Sequence, residues 1–311
     1  MILEVAQFLL VLAIAPLVTG IIRKAKALMQ SRRGPSVLQP YRDLWKLLCK
    51  GSVVSNDASW VFTITPYACI AAVTVAALLV PVVYAGTFGF LGDLIVLIYL
   101  LAMMRFFMAL AALDTGSAFG GMGSSREMYI SSVVEPTMLL SIFAMALVAG
   151  TTSLASIAER IASSGLDLIS PALFLAAAAF FIATLAENAR VPFDNPSTHL
   201  ELTMIHEAML LEYSGKQLAL MEMASMTKLV IFLAIMSNVF FPWGIATTDD
   251  PMAIAVGLAV FLGKLILLAL IIALIESSFS KMRLFRLPNL LTVAFILALL
   301  AVISFYILGV L

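Results

Sequence analysis

Eight runs of apolar residues, near 2–22, 64–85, 92–112, 132–150, 171–187, 227–245, 253–275 and 289–309, come close to the length a lipid bilayer demands. About 20 residues rising about 1.5 Å each cross a hydrocarbon core. Inside that core each backbone amide and carbonyl must find its partner within the protein, so runs of this length are helical. The expected architecture is all-α and polytopic, about eight transmembrane helices forming a single domain over 1–311. No Gly/Ser-rich linker, low-complexity tract or repeat divides the chain. A hydrophobic share of 63%, a charged share of 12% and a mean hydropathy of +1.10 lie outside the soluble globular range. The formal net charge of +0, without interleaved basic and aromatic residues, argues against nucleic-acid binding.

Lys and Arg set the expected orientation. The connection between the first two spans holds Arg23, Lys24, Lys26, Arg32, Arg33, Arg42, Lys46 and Lys50. The 3–4, 5–6 and 7–8 connections add Arg126, Arg190, Lys216, Lys281, Arg283 and Arg286, whereas the opposite loops offer only Arg160. Both termini are therefore expected outside, the odd-numbered loops cytoplasmic, and Asp249 and Asp250 in an outer loop. In the first run the only early charge is Glu4 and the basic residues follow, the layout of a retained anchor rather than a cleaved signal peptide. Within the first long connection, Val37, Leu38, Tyr41, Leu44, Trp45 and Leu48 recur at helical spacing with Arg42, Lys46 and Lys50 interleaved. That pattern predicts an amphipathic helix lying in the membrane interface, an anchor or a surface for anionic lipid or a partner.

Against this background, carboxylates beside spans carry the most information, because an ionised group at mid-bilayer costs about 2.5–3.5 kcal/mol even on insertion scales. Glu187 closes the fifth span, and Glu201, Glu207, Glu212 and Glu222 follow between apolar stretches such as 202–205 and 208–211. They read either as a partly covered acidic path or as a solvated loop. Asn195 and Pro196 predict a helix start, and Gly215 a stop, for one helix over 196–213. On it Glu201 and Glu212 would share a stripe, with His199, His206 and Tyr213 on nearly the opposite side. Seven residues separate the two histidines, which does not fit the i,i+4 zinc arrangement; packing, a contact with a neighbouring subunit or a proton relay stand as readings. Among charges within spans, Arg105 would snorkel or pair, and Glu135 would serve a helix N-terminus or a path. Lys264 lies far from either end of its span and needs an internal acid or water. Cys49 and Cys69, without a Cys-x-x-Cys or His-rich companion, point to no metal site, so any redox centre is expected on another chain.

Glu187-x-x-Arg190-x-Pro192-Phe193-Asp194 together with Glu212-Tyr213-Ser214-Gly215 resembles the signature of the subunit 1 (H-type) family of respiratory complex I. Arg32-Arg33-Gly34-Pro35, Gln39-Pro40 and Lys46-Leu47-Leu48 resemble that family's first cytoplasmic loop, so the likeness spans nearly the whole chain. Finer features are similar to the membrane subunits of group 4 membrane-bound [NiFe] hydrogenases, of the formate hydrogenlyase and energy-converting type. These are Leu113-Asp114-Thr115-Gly116-Ser117, Ser125-Arg126-Glu127, Arg105, Lys264 and Glu276. Where complex I carries Pro-Glu-Gly-Glu-Ser-Glu, this chain reads Pro196-Ser197-Thr198-His199-Leu200-Glu201, and Glu276 stands where complex I usually has arginine.

The resemblance implies a prokaryotic plasma-membrane subunit, non-catalytic alone, that docks a peripheral redox arm and couples electron transfer to proton or sodium translocation. It implies an acidic path through Glu135, Glu187, Glu201 and Glu212, with Lys264 and Arg105 as its membrane charges. It implies docking by Arg32, Arg33, Asp43, Arg190 and Asp194, while the relay reading of His199 and His206 rests on imidazole titration near neutrality and not on the resemblance. Partners would be the hydrogenase large and small (Fe–S) subunits, which carry the Fe–S clusters and the Ni–Fe centre, and antiporter-like membrane subunits; no cofactor is expected on this chain. The alternatives are a quinone-site subunit of complex I and an independent secondary transporter, whose sign would be paired broken helices in two related halves.

Overall fold

The computed structural model describes residues 2–84, 94–163, 170–194, 204–246 and 250–308. Eleven α-helices lie among them: α1 (Ile2–Met29), α2 (Gln39–Leu48), α3 (Trp60–Leu79), α4 (Leu94–Asp114), α5 (Ala118–Ala149), α6 (Leu154–Ser163), α7 (Pro171–Glu187), α8 (His206–Leu210), α9 (Gly215–Ile235), α10 (Pro251–Ser278) and α11 (Leu287–Leu308). Seven are long and apolar enough to cross a membrane and α7 is a shorter apolar helix, so each of the eight expected spans has a helix. No strand occurs among the described residues, only an isolated bridge between Tyr84 and Ala246. The all-α polytopic expectation holds.

The helix ends follow local chemistry. Ser59 and Ser117 cap α3 and α5 by accepting from Val61 N and Gly120 N, and Asp250 caps α10 by accepting from Met252 N. Asp114, the end of α4, accepts from Ser59 N at 2.8 Å and Phe62 N at 3.3 Å, tying the start of α3 to the next helix. Gly150, at φ +65, closes α5.

α9 is the centre of the bundle. Its most apolar stretch is 72% buried, against 28% and 22% in α10 and α11. It packs on α1 and α3; α3 packs on α4, α4 on α5, and α5 on α7 and α11. The chain leaving α3 is irregular, and buried side chains satisfy its backbone: Gln7 Oε1 accepts from the amides of Val82, Val83 and Tyr84, and Asn238 Nδ2 donates to the carbonyls of Pro81 and Val82. Non-helical backbone at this depth requires such partners.

α2 forms where the amphipathic pattern predicts it and buries Pro40 and Leu44, leaving Trp45 and Leu48 exposed as an apolar outer face. Tyr41 fastens it to α1 through a hydrogen bond to the Ala13 carbonyl.

Several expectations need correction. α5 begins at Ala118 rather than near 132, so Glu135 sits inside a helix and not at its N-terminus. α9 begins at Gly215 rather than near 227 and ends in a π-helical turn, Met236–Phe240. The amphipathic α6 was not anticipated. The single helix over 196–213 does not occur as expected: Ile205, at φ −121 and ψ −79, is not helical, and only His206–Leu210 forms a helix there. Residues 195–203, with Asn195, Pro196, His199 and Glu201, lie outside the described residues, as does Asp249. The two-stripe reading therefore fails, since Tyr213 also lies beyond α8.

Candidate functional site

Four helices bring charged side chains together in the interior. Arg105 of α4, 1% exposed, donates from Nη1 to Glu135 Oε1 of α5 at 2.8 Å and from Nη2 to Glu187 Oε1 of α7. The same Glu187 oxygen receives Lys228 Nζ of α9 at 2.9 Å. Glu127 of α5, also buried, is within electrostatic reach of Arg105, Lys228 and Glu187. A buried ion costs several kcal/mol to desolvate unless opposite charges and hydrogen bonds surround it, and here each cation meets Glu187. The outcome is a continuous line, Glu135 to Arg105 to Glu187 to Lys228. Its Glu135 end opens on the bundle surface, with that side chain 41% exposed.

Two further groups lie beside it. Glu276 of α10 is buried and binds Lys26 Nζ at 3.1 Å and Arg190 Nη1 at 3.2 Å. Asp194, 3% exposed, pairs with Lys281 and accepts the amides of Ile205 at 3.2 Å and His206 at 3.1 Å. A cavity of about 780 Å³ joins both groups, lined by Arg23, Lys26, Arg190, Asp194, Glu222 and Glu276 among others. His206 and Glu207 from α8 also face it, and Asn188 and Leu229, next in sequence to Glu187 and Lys228, complete the approach to the buried line. Burial holds the His206 imidazole below its ordinary pKa; Glu207 opposes this, Lys228 adds to it, and Asp194 and Glu187 oppose it more weakly.

The expected site residues distribute unevenly. Glu135, Arg105 and Glu187 come together; Arg32, Arg190, Asp194 and His206 line the cavity. Asp43 lies at the surface of α2, 3.9 Å from Arg23 and held by Gln39 Nε2 at 2.9 Å. Arg33 and Glu212 are exposed and do not line the cavity. Glu201 and His199 lie outside the described residues. Among the described residues Lys264 joins no carboxylate: its ammonium donates to the carbonyls of Ser237 at 3.0 Å and Phe241 at 2.6 Å. A π-helical turn leaves carbonyls without their usual i+4 amides, so this lysine satisfies the C-terminal end of α9.

Lys228 and Glu127 were missed as site residues. Lys228 stands at the very edge of the expected span 227–245; with α9 starting at Gly215 it lies about three and a half turns inside the helix. The signal available was Ser214-Gly215 before a long helical run, which moves the helix start upstream.

Residues 3–307 match the family model described as NADH dehydrogenase. The chain belongs to the NADH dehydrogenase family. It is 39% identical over 299 residues to formate hydrogenlyase subunit 4 of Escherichia coli (strain K12), covering 96% of each chain. It is 36% identical over 301 residues to hydrogenase-4 component C of the same organism, covering 96% of this chain and 94% of that one. A chain of the membrane-bound sulfane sulfur reductase, an archaeal respiratory membrane complex, matches with a TM-score of 0.83 and 23% identity over 96% of this chain and 97% of that one, a likeness of fold. Within the NADH dehydrogenase family this is an H-type member, and its relatives are subunits of hydrogenase-type and complex I-like membrane complexes.

The family resemblance at Glu212-Tyr213-Ser214-Gly215 is mostly architecture. Tyr213 stacks on Phe62 with centroids 4.0 Å apart and donates to the Phe62 carbonyl at 3.0 Å. Ser214 Oγ bonds both the amide and the carbonyl of Val53, at 2.8 and 2.9 Å. At Gly215, φ +52, a Cβ would stand 2.3 Å from the Gly51 carbonyl oxygen, so no larger residue fits. In this NADH dehydrogenase family chain the motif clasps the connection after α2 to the start of α9, which positions Lys228.

Proposed function

We propose that the chain is the membrane-arm subunit of a hydrogenase-type respiratory complex, and that its buried charge line couples electron transfer in a peripheral arm to proton or sodium translocation. The observation that carries this reading is the line Glu135–Arg105–Glu187–Lys228, which runs from the bundle surface inward to two residues whose sequence neighbours, Asn188 and Leu229, line the cavity. A charge change in the cavity, at Glu222, Glu276 or Asp194, acts on Glu187 through a low-dielectric interior where screening is weak. The half-exposed Glu135 supports a neighbouring membrane subunit of antiporter-like type, because a carboxylate on the apolar wall of a span is costly to leave against lipid. The Lys and Arg distribution supports both termini outside and the cavity on the cytoplasmic face, in the plasma membrane of a prokaryote.

The hydrogenase large and small (Fe–S) subunits dock over the cavity mouth, with Arg32, Arg33, Asp43 and Arg190 around the contact and the Fe–S and Ni–Fe centres on those partners. The cavity wall supports a hydrated vestibule over an apolar quinone tunnel, since cations and carboxylates contribute much of it. Purifying the assembly through a tag on this chain in mild detergent tests the reading. Co-purification of the two hydrogenase subunits with nickel and iron is expected. A chain that purifies alone, or a nickel-free assembly whose turnover requires quinone, overturns it.

A further inference from the structure

A second hollow, a groove of about 630 Å³, opens where the ends of α7, α10 and α11 meet, and it shares no lining residue with the large cavity. Its floor is apolar, with Phe181 and Leu185 of α7 and Leu290 of α11. Phe181 lies about 9 Å along α7 from the end of that helix at Glu187, so the floor reaches toward hydrocarbon depth.

The mouth of the groove is basic, formed by Lys281, Arg283 and Arg286, and no carboxylate lines the groove among the described residues. Lys281 is matched by Asp194. Arg283 and Arg286 are exposed, and among the described residues neither forms an ion pair. Phe285, 88% exposed, stands between them in sequence, and Phe279, also exposed, lines the groove. Exposed phenylalanines beside arginines suit the headgroup–acyl boundary, where apolar rings enter the acyl region and cations stay among anionic headgroups.

Water suits the mouth but not the floor, and a free anion suits the mouth alone. A molecule with an anionic head and a hydrocarbon tail suits both. We propose that this groove binds an anionic phospholipid, its phosphate held by the guanidinium groups of Arg283 and Arg286 and one acyl chain lying on Phe181, Leu185 and Leu290. Guanidinium matches a phosphodiester in geometry and stays charged at any physiological pH. The site is separate from the charge line and stands whether or not that line couples ion movement.

The test uses the intact detergent-purified complex from wild type, from Arg283→Gln/Arg286→Gln, and from Leu290→Trp, which fills the floor without altering charge. Each is reloaded from phosphatidylcholine vesicles containing cardiolipin or phosphatidylglycerol, and retained phospholipid per assembled complex is quantified by mass spectrometry. Loss of both arginines is expected to weaken anionic-lipid retention about thirtyfold, from about 1 kcal/mol per basic residue near an anionic headgroup. Leu290→Trp is expected to reduce it as well, while phosphatidylcholine retention stays the same in all three. Equal anionic-lipid retention by wild type and both variants overturns the proposal. So does efficient crosslinking of Phe285→Cys to a partner subunit in the native membrane, which would make the occupant protein.

Discussion

Lys228 Nζ stands 2.9 Å from Glu187 Oε1, with both side chains buried, and the same oxygen is taken from another helix by Arg105. Glu187 is thus the shared anion of two buried cations. Its replacement by Gln leaves both underneutralised, whereas Lys228→Met leaves the Arg105–Glu187 pair intact. Breaking a buried pair typically costs about 3–5 kcal/mol. Glu187→Gln should therefore destabilise more than Lys228→Met, and the double variant should recover part of the loss. Thermal unfolding of the purified complex measures the order, and equal costs would argue against the shared anion.

Among the described residues Lys264 serves backbone carbonyls at Ser237 and Phe241 rather than an acid. Lys264→Met should cost about 1.5–3 kcal/mol, the range for a hydrogen bond to a charged group, while ion movement per electron is unchanged in the complex that assembles. A loss of coupling at full thermal stability would instead return Lys264 to the path.

Asp194 accepts two amides at the entry to α8 and pairs with Lys281. Asp194→Ala removes an acceptor equivalent to a helix cap, worth about 1 kcal/mol, and frees a buried contact besides. Amide exchange at Ile205 and His206 should quicken by about five- to tenfold in hydrogen–deuterium measurements, with α3 unaffected. Unchanged protection at those two amides would contradict the bonds.

His206 is buried with its pKa lowered by desolvation, in a setting where Glu207, Asp194 and Glu187 pull upward and Lys228 downward. The folded protein therefore keeps this imidazole neutral while the unfolded chain takes up a proton near the ordinary value of about 6.5. Its stabilising contribution is present above about pH 6.5 and is lost as pH falls toward the folded pKa, by at most about 1.4 kcal/mol per pH unit. Melting curves between pH 7.5 and 5.5 should show a steeper decline for wild type than for His206→Gln. Parallel declines would place the acid sensitivity elsewhere.

The eight spans were legible because hydropathy acts over about 20 residues and each run has a helix. The amphipathic α2 was legible from the periodicity of Tyr41, Leu44, Trp45 and Leu48. Polar starts of spans were not: α5 and α9 carry serines, Glu127 and Lys228 into the bundle, where other charges match them, and a hydropathy window discards such residues. Partnering is a property of several helices at once. Arg105 reads equally well as snorkelling until α5 and α7 bring Glu135 and Glu187 to its guanidinium, and Lys264 reads as a path residue until the π-helical turn supplies its carbonyls. The 196–213 helix failed because local start and stop signals say nothing of Asp194, which captures the amides of Ile205 and His206.

The most direct test of the coupling line is the number of ions moved per electron by the assembled complex in sealed inverted vesicles, compared between wild type and Glu187→Gln. Hydrogen evolution in uncoupled membranes should persist in the variant, while ion translocation per electron falls by about tenfold, the effect of a 1.4 kcal/mol shift in the competition between the coupled and the uncoupled route. An unchanged ratio in vesicles of equal tightness would contradict the account.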